Sequence, residues 1–211
     1  MQQRPSRRIL RTTLIVLLIT CAGCTDVKRW AYEGFDRDEW QHPEEVIQAL
    51  IIKPEEQIAD LGSGSGYFTF RLADAVGPSG QVYAVDIDAD MNAHLAKRLQ
   101  EKGYKNIEVM LAKPHDPELP ENGVDLIFSA NTYHHLENRP SYFANARKYL
   151  RPNGRIAIID FNGEGLLQQL SGHYTPNDVI QRELQEAGYA LERELTFLPK
   201  QVFLIFASGE Q

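Results

Sequence analysis

Three glycines at alternate positions form the most informative pattern in this chain of 211 residues. Gly62, Gly64 and Gly66, with Ser63 between the first two, follow the apolar segment 57–61, which predicts a β-strand. Glycine lets a backbone turn tightly and approach a ligand closely, and a following helix N-terminus adds unpaired N–H donors. The order of strand, glycine turn and helix predicts a site for a nucleoside-containing ligand. A tight connection without a ligand is the structural alternative.

An acid stands twenty positions after the last of these glycines, where the next predicted strand ends. Asp86 closes the apolar segment 82–86, and a carboxylate at that point is placed to accept hydrogen bonds from both hydroxyls of a ribose. The alternative is that Asp86 caps the helix that follows it. Strand, turn, helix and second strand together favour the ribose interpretation.

The spacing of the glycines and one further acid indicate the kind of nucleoside ligand. A dinucleotide-binding turn has the pattern GxGxxG, but the position of its third glycine is occupied by Tyr67. Asp60 stands just before the glycines, where its charge repels a pyrophosphate and suits the ammonium group of a methionine moiety. The pattern therefore favours S-adenosylmethionine over NAD as the cofactor.

The rest of the chain alternates between apolar strand patterns and helical patterns. Helices are predicted from Pro43, at 67–76, 89–102 and 141–150, and from Thr175 and Pro176 to Gly188; the strands are 57–61, 82–86, 107–111, 124–130, 156–160, 191–195 and 202–207. This alternation predicts βαβ units and an α/β fold with a mostly parallel sheet and helices on both faces. The last two strands lie too close in sequence for a parallel crossover, so they must form an antiparallel hairpin.

Several segments resemble the class I S-adenosylmethionine-dependent methyltransferases, in particular small bacterial members of the methyltransferase type 11 group. The resemblance is carried by residues 60–66, Asp86, the strand 125–128 with its continuation 133–136, and residues 150–154. It implies a Rossmann-like sheet of seven strands with the last strand antiparallel. It also implies that Gly62 and Gly64 line the cofactor and that Asp86 holds its ribose.

The resemblance extends to residues at the ends of the third and fourth strands. Asp116 is the candidate for an acid near the adenine, and Asn131 stands where the family often carries an acid facing the methionine or the substrate. Tyr133 and His134 follow Asn131 and are the candidate catalytic residues, because either one is placed to take a proton from a hydroxyl or amine acceptor. All of these residues also have an alternative interpretation as ordinary packing or capping residues.

The methyl acceptor is predicted to be a small molecule. Its pocket is expected between residues 131–135, the loop 163–174 and the aromatic residues Tyr32 and Trp40. The formal net charge is −7, and the first 23 residues hold four arginines and no acid, so the remainder carries −11. An acidic body is a poor general binder of nucleic acid, so no nucleic-acid partner is expected. Two other functions stay open: an NAD-dependent oxidoreductase, and a non-catalytic envelope protein that retains the fold.

The first 24 residues have the order of a bacterial export signal: a basic stretch, the apolar run 14–19 and a small-residue segment that ends at Cys24. This ending resembles a lipobox, in which Cys24 receives a lipid anchor. We expect a signal peptide at 1–24, a leader at 25–42 and a methyltransferase domain at 43–209, on a membrane facing the periplasm. A cytoplasmic protein is the alternative. Both cysteines lie in residues 1–24, so neither a metal site nor a thiol nucleophile is expected in the domain.

Overall fold

The computed structural model describes residues 37–164, 170 and 172–209. These residues belong to one compact unit, Asp36–Gln211. Its helices are α1 Arg37–Gln41, α2 Pro43–Leu50, α3 Thr69–Val76, α4 Ala89–Lys102, α5 Arg139–Ala146 and α6 Asn177–Glu186. Its strands are β1 Gln57–Leu61, β2 Gln81–Asp86, β3 Ile107–Leu111, β4 Val124–Ala130, β5 Leu150–Phe161, β6 Tyr189–Leu195 and β7 Gln201–Ser208.

The seven strands form one sheet in the order β3-β2-β1-β4-β5-β7-β6. Strands β1 to β5 pair in parallel, whereas β7 runs antiparallel to both β5 and β6. The predicted α/β fold with an antiparallel last strand is therefore confirmed. Since the carboxyl ends of β1, β2 and β4 all lie at one edge, the turns that follow these three strands are neighbours.

Each face of the sheet is covered by helices, as a mostly parallel sheet requires. On one face, Val46 of α2 and Leu72 of α3 join Phe128 of β4 in a buried cluster. On the other face, Phe143 of α5 and Ile180 of α6 pack with the buried side chains that β4, β5 and β7 present to that face. The two clusters fix the sheet from both sides and hold its carboxyl edge in place.

Most predicted elements are found, and the largest differences are the end of the helix predicted at 141–150 and the start of β5, which begins at Leu150 rather than at residue 156. The predicted helix 141–150 ends at Ala146 and continues as a 3₁₀ turn, Arg147–Tyr149. Leu150 already belongs to β5, because it pairs with Val124 at the start of β4. Thr175 was predicted to cap α6, but the cap position is Pro176 and no side chain caps this helix. Hydrophobic periodicity does not show where a buried helix gives way to a buried strand.

The segment predicted as a leader contributes a helix to the unit. Helix α1 lies in residues 25–42, and Gln41 at its end is fully buried. Trp40 stacks on Phe161 at the end of β5, with 5.8 Å between the ring centroids. Residues 1–36, which include Tyr32 and the predicted signal peptide, lie outside the described residues.

Candidate active site

The glycine turn connects β1 to α3 at the carboxyl edge of the sheet. All three of its glycines have positive φ angles: 74° at Gly62, 52° at Gly64 and 89° at Gly66. The backbone N–H of Gly62 donates to the carbonyl of Val85 in β2 at 2.8 Å. A Cβ atom at Gly62 would lie 2.0 Å from Oγ1 of Thr132, in the turn after β4. Only glycine combines this conformation with so close an approach.

The carboxylate of Asp86 lies directly against this turn. Its Oδ2 accepts the backbone N–H of Gly64 at 2.9 Å, and its Oδ1 accepts that of Asp88 at 2.9 Å. Asp88 is the cap of α4, because its own carboxylate accepts the N–H groups of Asp90 and Met91. The alternative that Asp86 caps this helix is therefore wrong. The structure brings the glycines and Asp86 together, as the sequence predicts.

Asp60 and Ser63 also lie at the turn, and both are buried. Asp60 is 3% exposed, and Thr69 at the start of α3 donates a hydrogen bond to its Oδ2 at 2.6 Å. Burial raises the pKa of Asp60 to about 6, and the nearby charge of Asp86 adds to this effect, whereas Thr69 and Arg37 oppose it. The hydroxyl of Ser63 is buried and has no hydrogen-bond partner among the described residues. Asp60 before the turn is thus a buried acid with a raised pKa, and Ser63 in the turn has a hydroxyl without a hydrogen-bond partner among the described residues.

Two large apolar side chains beside Asp86 were missed by the sequence analysis. Ile87 is 62% exposed and Leu111 is 58% exposed. Both neighbour Asp86: Ile87 follows it in the chain, and Leu111 at the end of β3 pairs with it across the sheet. Exposure of neighbouring large hydrophobic side chains at a ligand-binding edge is a sign of a binding surface. Sequence alone carries no such sign, since both residues continue ordinary apolar strand patterns.

The residues after β4 lie at the same edge of the sheet. Asn131 has a φ angle of 60°, and its side chain accepts a hydrogen bond from Gln201 at the start of β7. His134 places its Nδ1 2.6 Å from Oδ1 of Asp160, at the end of β5. The His134 side chain is 5% exposed and the Asp160 side chain is fully buried. This His–Asp pair was not predicted, because α5 and most of β5 separate His134 from Asp160 in the sequence.

Two further histidines surround this pair. The ring centroids of His135 and His173 lie 4.0 Å and 5.6 Å from that of His134. Burial lowers the pKa of His135, and the charges of His134 and His173 lower it further against the opposing effect of Asp160. Among the described residues, no group of three histidines, cysteines or acids has an arrangement that could hold a metal ion. The cluster consists of three neighbouring imidazoles, one of which, that of His134, is hydrogen-bonded to the carboxylate of Asp160.

Tyr133 lies in the hydrophobic core, away from the edge where a catalytic residue was predicted. It is fully buried, and its ring stacks on Phe143 with 5.4 Å between the centroids. Its hydroxyl donates to Glu183 of α6 at 2.8 Å. Burial and this hydrogen bond raise the pKa of Tyr133. The contacts give Tyr133 a packing position and do not support the predicted catalytic role.

Asp116, the acid predicted to lie near the adenine, contacts two residues of the 3₁₀ turn that follows α5. The hydroxyl of Tyr149 donates to its Oδ1 at 2.5 Å, and Nζ of Lys148 lies 3.4 Å from its Oδ2. Burial alone would raise the pKa of Asp116, but hydrogen bonds led by that of Tyr149 outweigh it and lower the pKa to about 2. Helix α5 runs back toward the amino ends of the strands, because it joins parallel β4 to β5. These contacts engage the carboxylate of Asp116, and its role beside the adenine stays a prediction.

Comparisons with known proteins agree with this geometry. Residues 52–195 match the model of a methyltransferase domain. The chain is 30% identical over 150 residues to an arsenite methyltransferase of Halobacterium salinarum, covering 65% of this chain and 38% of that protein. It is 30% identical over 118 residues to phosphoethanolamine N-methyltransferase 3 of Arabidopsis thaliana, covering 56% of this chain and 23% of that protein. The chain thus spans less than half the length of these curated relatives.

A solved structure with a similar fold covers nearly the whole described unit. It is an S-adenosylmethionine-dependent methyltransferase from Aquifex aeolicus, with a TM-score of 0.79 and 25% sequence identity. The likeness covers 84% of this chain and 95% of the Aquifex protein. The family match alone extends over more than half of the 211 residues. The chain belongs to the family of methyltransferase domains.

Proposed function

We propose that this protein transfers a methyl group from S-adenosylmethionine to a small-molecule acceptor. The observation that carries the proposal is the hydrogen bond of 2.9 Å from Gly64 N–H to the Asp86 carboxylate. This bond holds Asp86, the acid that we assign to the ribose, against a glycine turn at the carboxyl edge, where open α/β sheets bind their ligands. Family membership and the Aquifex structure support the same activity.

The residues at this edge suit the nucleoside part of the donor. Each oxygen of Asp86 accepts one backbone N–H and keeps lone-pair capacity for a ribose hydroxyl. The exposed side chains of Ile87 and Leu111 offer an apolar surface for the flat adenine ring. The unused hydroxyl of Ser63 adds a donor at the turn. The donor site therefore extends from the glycine turn toward β3.

Asp60 suits the ammonium group of the methionine part. A buried carboxylate is unfavourable in the ligand-free protein, and its raised pKa of about 6 expresses this cost. A ligand cation beside Asp60 stabilises the ionised form. Bound donor supplies a methyl group already activated on a positively charged sulfur, so the main contribution of the chain is alignment.

The acceptor side is assigned to the turn after β4. Asp160 holds Nδ1 of His134, which leaves Nε2 as the nitrogen that takes a proton from a hydroxyl or amine acceptor. Asp160 then stabilises the imidazolium. The curated relatives are named for acceptors as different as arsenite and phosphoethanolamine, so their names do not select one here. The acidic net charge favours small, uncharged or cationic acceptors over nucleic acid.

We also propose that the chain is exported and anchored by a lipid at Cys24. The support is the order of basic, apolar and small residues before this cysteine. No helix in the described part of the chain is long and apolar enough to cross a membrane. In this proposal the acyl chains on Cys24 supply the attachment, and two or more chains make it stable.

Asp86→Ala is expected to lower the affinity for S-adenosylmethionine by about tenfold or more. It removes charge-assisted hydrogen bonds to the ribose, each contributing roughly 1.5–3 kcal/mol. Titration calorimetry on the full-length protein measures the change. The matched control is Asp88→Ala, which removes the cap of α4 at a cost of about 1 kcal/mol in stability and should leave affinity within twofold. Equal losses in both variants would contradict a ribose contact at Asp86.

Asp60→Asn is expected to stabilise the ligand-free protein at pH 7.5 while weakening donor binding. The pKa of Asp60 is raised in the folded state, so folding favours the protonated acid. The penalty is absent below about pH 4, grows as pH rises toward 6 and reaches up to about 3 kcal/mol above it. Urea unfolding of both proteins at pH 4 and pH 7.5 measures the difference. A stability difference that is the same at both pH values would contradict this assignment.

His134→Ala is expected to lower turnover by about 10²–10⁴-fold and to leave donor affinity nearly unchanged, because only the proton transfer is lost. An acceptor is first identified by screening amines and alcohols with donor labelled at the methyl group. Calorimetry with the demethylated donor and thermal unfolding are the controls. Parallel losses of affinity and stability would assign His134 to packing.

Cys24→Ser is expected to abolish the incorporation of labelled palmitate and to move the protein out of the membrane fraction. The reason is that the thiol of Cys24 is the proposed attachment point. Cys21→Ser is the matched control and should keep the label. Full-length, unlabelled protein in the soluble fraction of wild-type cells would rule out the lipid anchor.

A further inference from the structure

Helix α1 is fixed to the residue that follows the glycine turn. The guanidinium of Arg37 lies 3.7 Å from the centroid of the Tyr67 ring, and Tyr67 directly follows Gly66. The hydroxyl of Tyr67 donates to the carboxylate of Asp38, the next residue of α1, at 2.5 Å. The guanidinium of Arg71 in α3 also lies over this ring, at 4.6 Å, and contacts Asp38. These contacts hold α1 against the end of the glycine turn.

Arg37 is a partly buried cation at the start of this helix. Burial lowers its pKa to about 10, although Tyr67, Asp60 and Asp38 act in the opposite direction. It stays charged at neutral pH. Arg37 and Asp60 are close enough that each shifts the pKa of the other. A partly buried cation over Tyr67, after the glycine turn, and the buried carboxylate of Asp60, before it, therefore lie within electrostatic reach of each other.

We propose that Arg37 binds the carboxylate of the methionine part of the donor while Asp60 binds its ammonium group. The inference rests on the proposed function and names a binding residue in the segment that precedes the methyltransferase domain predicted from the sequence. The amino-acid end of the donor carries one positive and one negative group on the same carbon atom. Arg37, over the ring of the residue that follows the glycine turn, and Asp60, at the end of the strand before it, present the two opposite charges at the two ends of the turn.

The chemistry of arginine suits this contact. A guanidinium donates two parallel hydrogen bonds to a carboxylate, and such bonds are strong where water is excluded. The Tyr67 ring and the hydrogen bond from Nε to Gln41 at 2.5 Å fix the plane of the guanidinium. Donor binding therefore brings the carboxylate of the methionine part next to the Arg37 guanidinium, which is already partly shielded from water. Binding also couples α1 to the donor.

The test compares two ligands that differ only in the amino-acid end. S-adenosylhomocysteine carries this end, and 5′-methylthioadenosine lacks it. Titration calorimetry uses the full-length wild type, Arg37→Ala, and Arg37→Gln, which keeps a long side chain over Tyr67. Both variants are expected to bind S-adenosylhomocysteine about tenfold or more weakly than wild type. Their affinity for 5′-methylthioadenosine is expected to stay within twofold.

Arg71→Ala is the matched control, because Arg71 lies over the same ring but forms its ion pairs with the exposed acids Asp38 and Glu44. It is expected to affect both ligands equally or neither. Equal losses for both ligands in the Arg37 variants would assign Arg37 to anchoring α1 and overturn the proposal. Equal affinity of the wild type for the two ligands would also overturn it and leave the proposed function standing. A wild type that binds neither ligand would remove both.

Discussion

The hydrogen bond between the backbone of Gly64 and the Asp86 carboxylate joins the ends of β1 and β2 into one site. It exists because the turn passes so close to β2 and β4 that Gly62 has no room for a side chain beside Thr132. Parallel pairing of β1 with β2 and β4 brings these three strand ends together. Helix packing on both faces then fixes the sheet edge, so the proposed donor and acceptor sides keep constant positions relative to each other.

The same edge concentrates buried charges that a fold alone does not need. Asp60 and Asp160 are almost completely buried, and Arg37 is partly buried over the ring of Tyr67. A buried charge is unfavourable unless it is paired, so such residues are stable only where neighbours or ligands compensate them. Thr69 and His134 supply part of this compensation. The part of the burial free energy that these neighbours do not compensate falls on residues of the proposed donor and acceptor sites, as expected for sites that bind charged ligands.

Sequence reasoning succeeded where the information is local. The bounds of β1, α4, β3 and β4 follow from apolar periodicity and from glycine at the end of α4. It did not find the partners of Asp116 and Tyr133, because Tyr149 and Glu183 are distant in sequence. An acid after a strand and a tyrosine after a strand look the same whether they face a ligand or the core. The direction of a side chain depends on which elements pack against it.

The sequence by itself determined the α/β fold, the antiparallel last hairpin and the grouping of Asp60, the three glycines and Asp86 at one edge of the sheet. These features depend on residue spacing along a continuous segment, which constrains the backbone directly. Only the tertiary structure decided that Asp160 holds His134, that Ile87 and Leu111 are exposed next to Asp86, and that Arg37 lies over the ring of Tyr67 after the glycine turn. Each of these contacts joins segments that neither periodicity nor local spacing relates, because they meet only when the helices and strands pack.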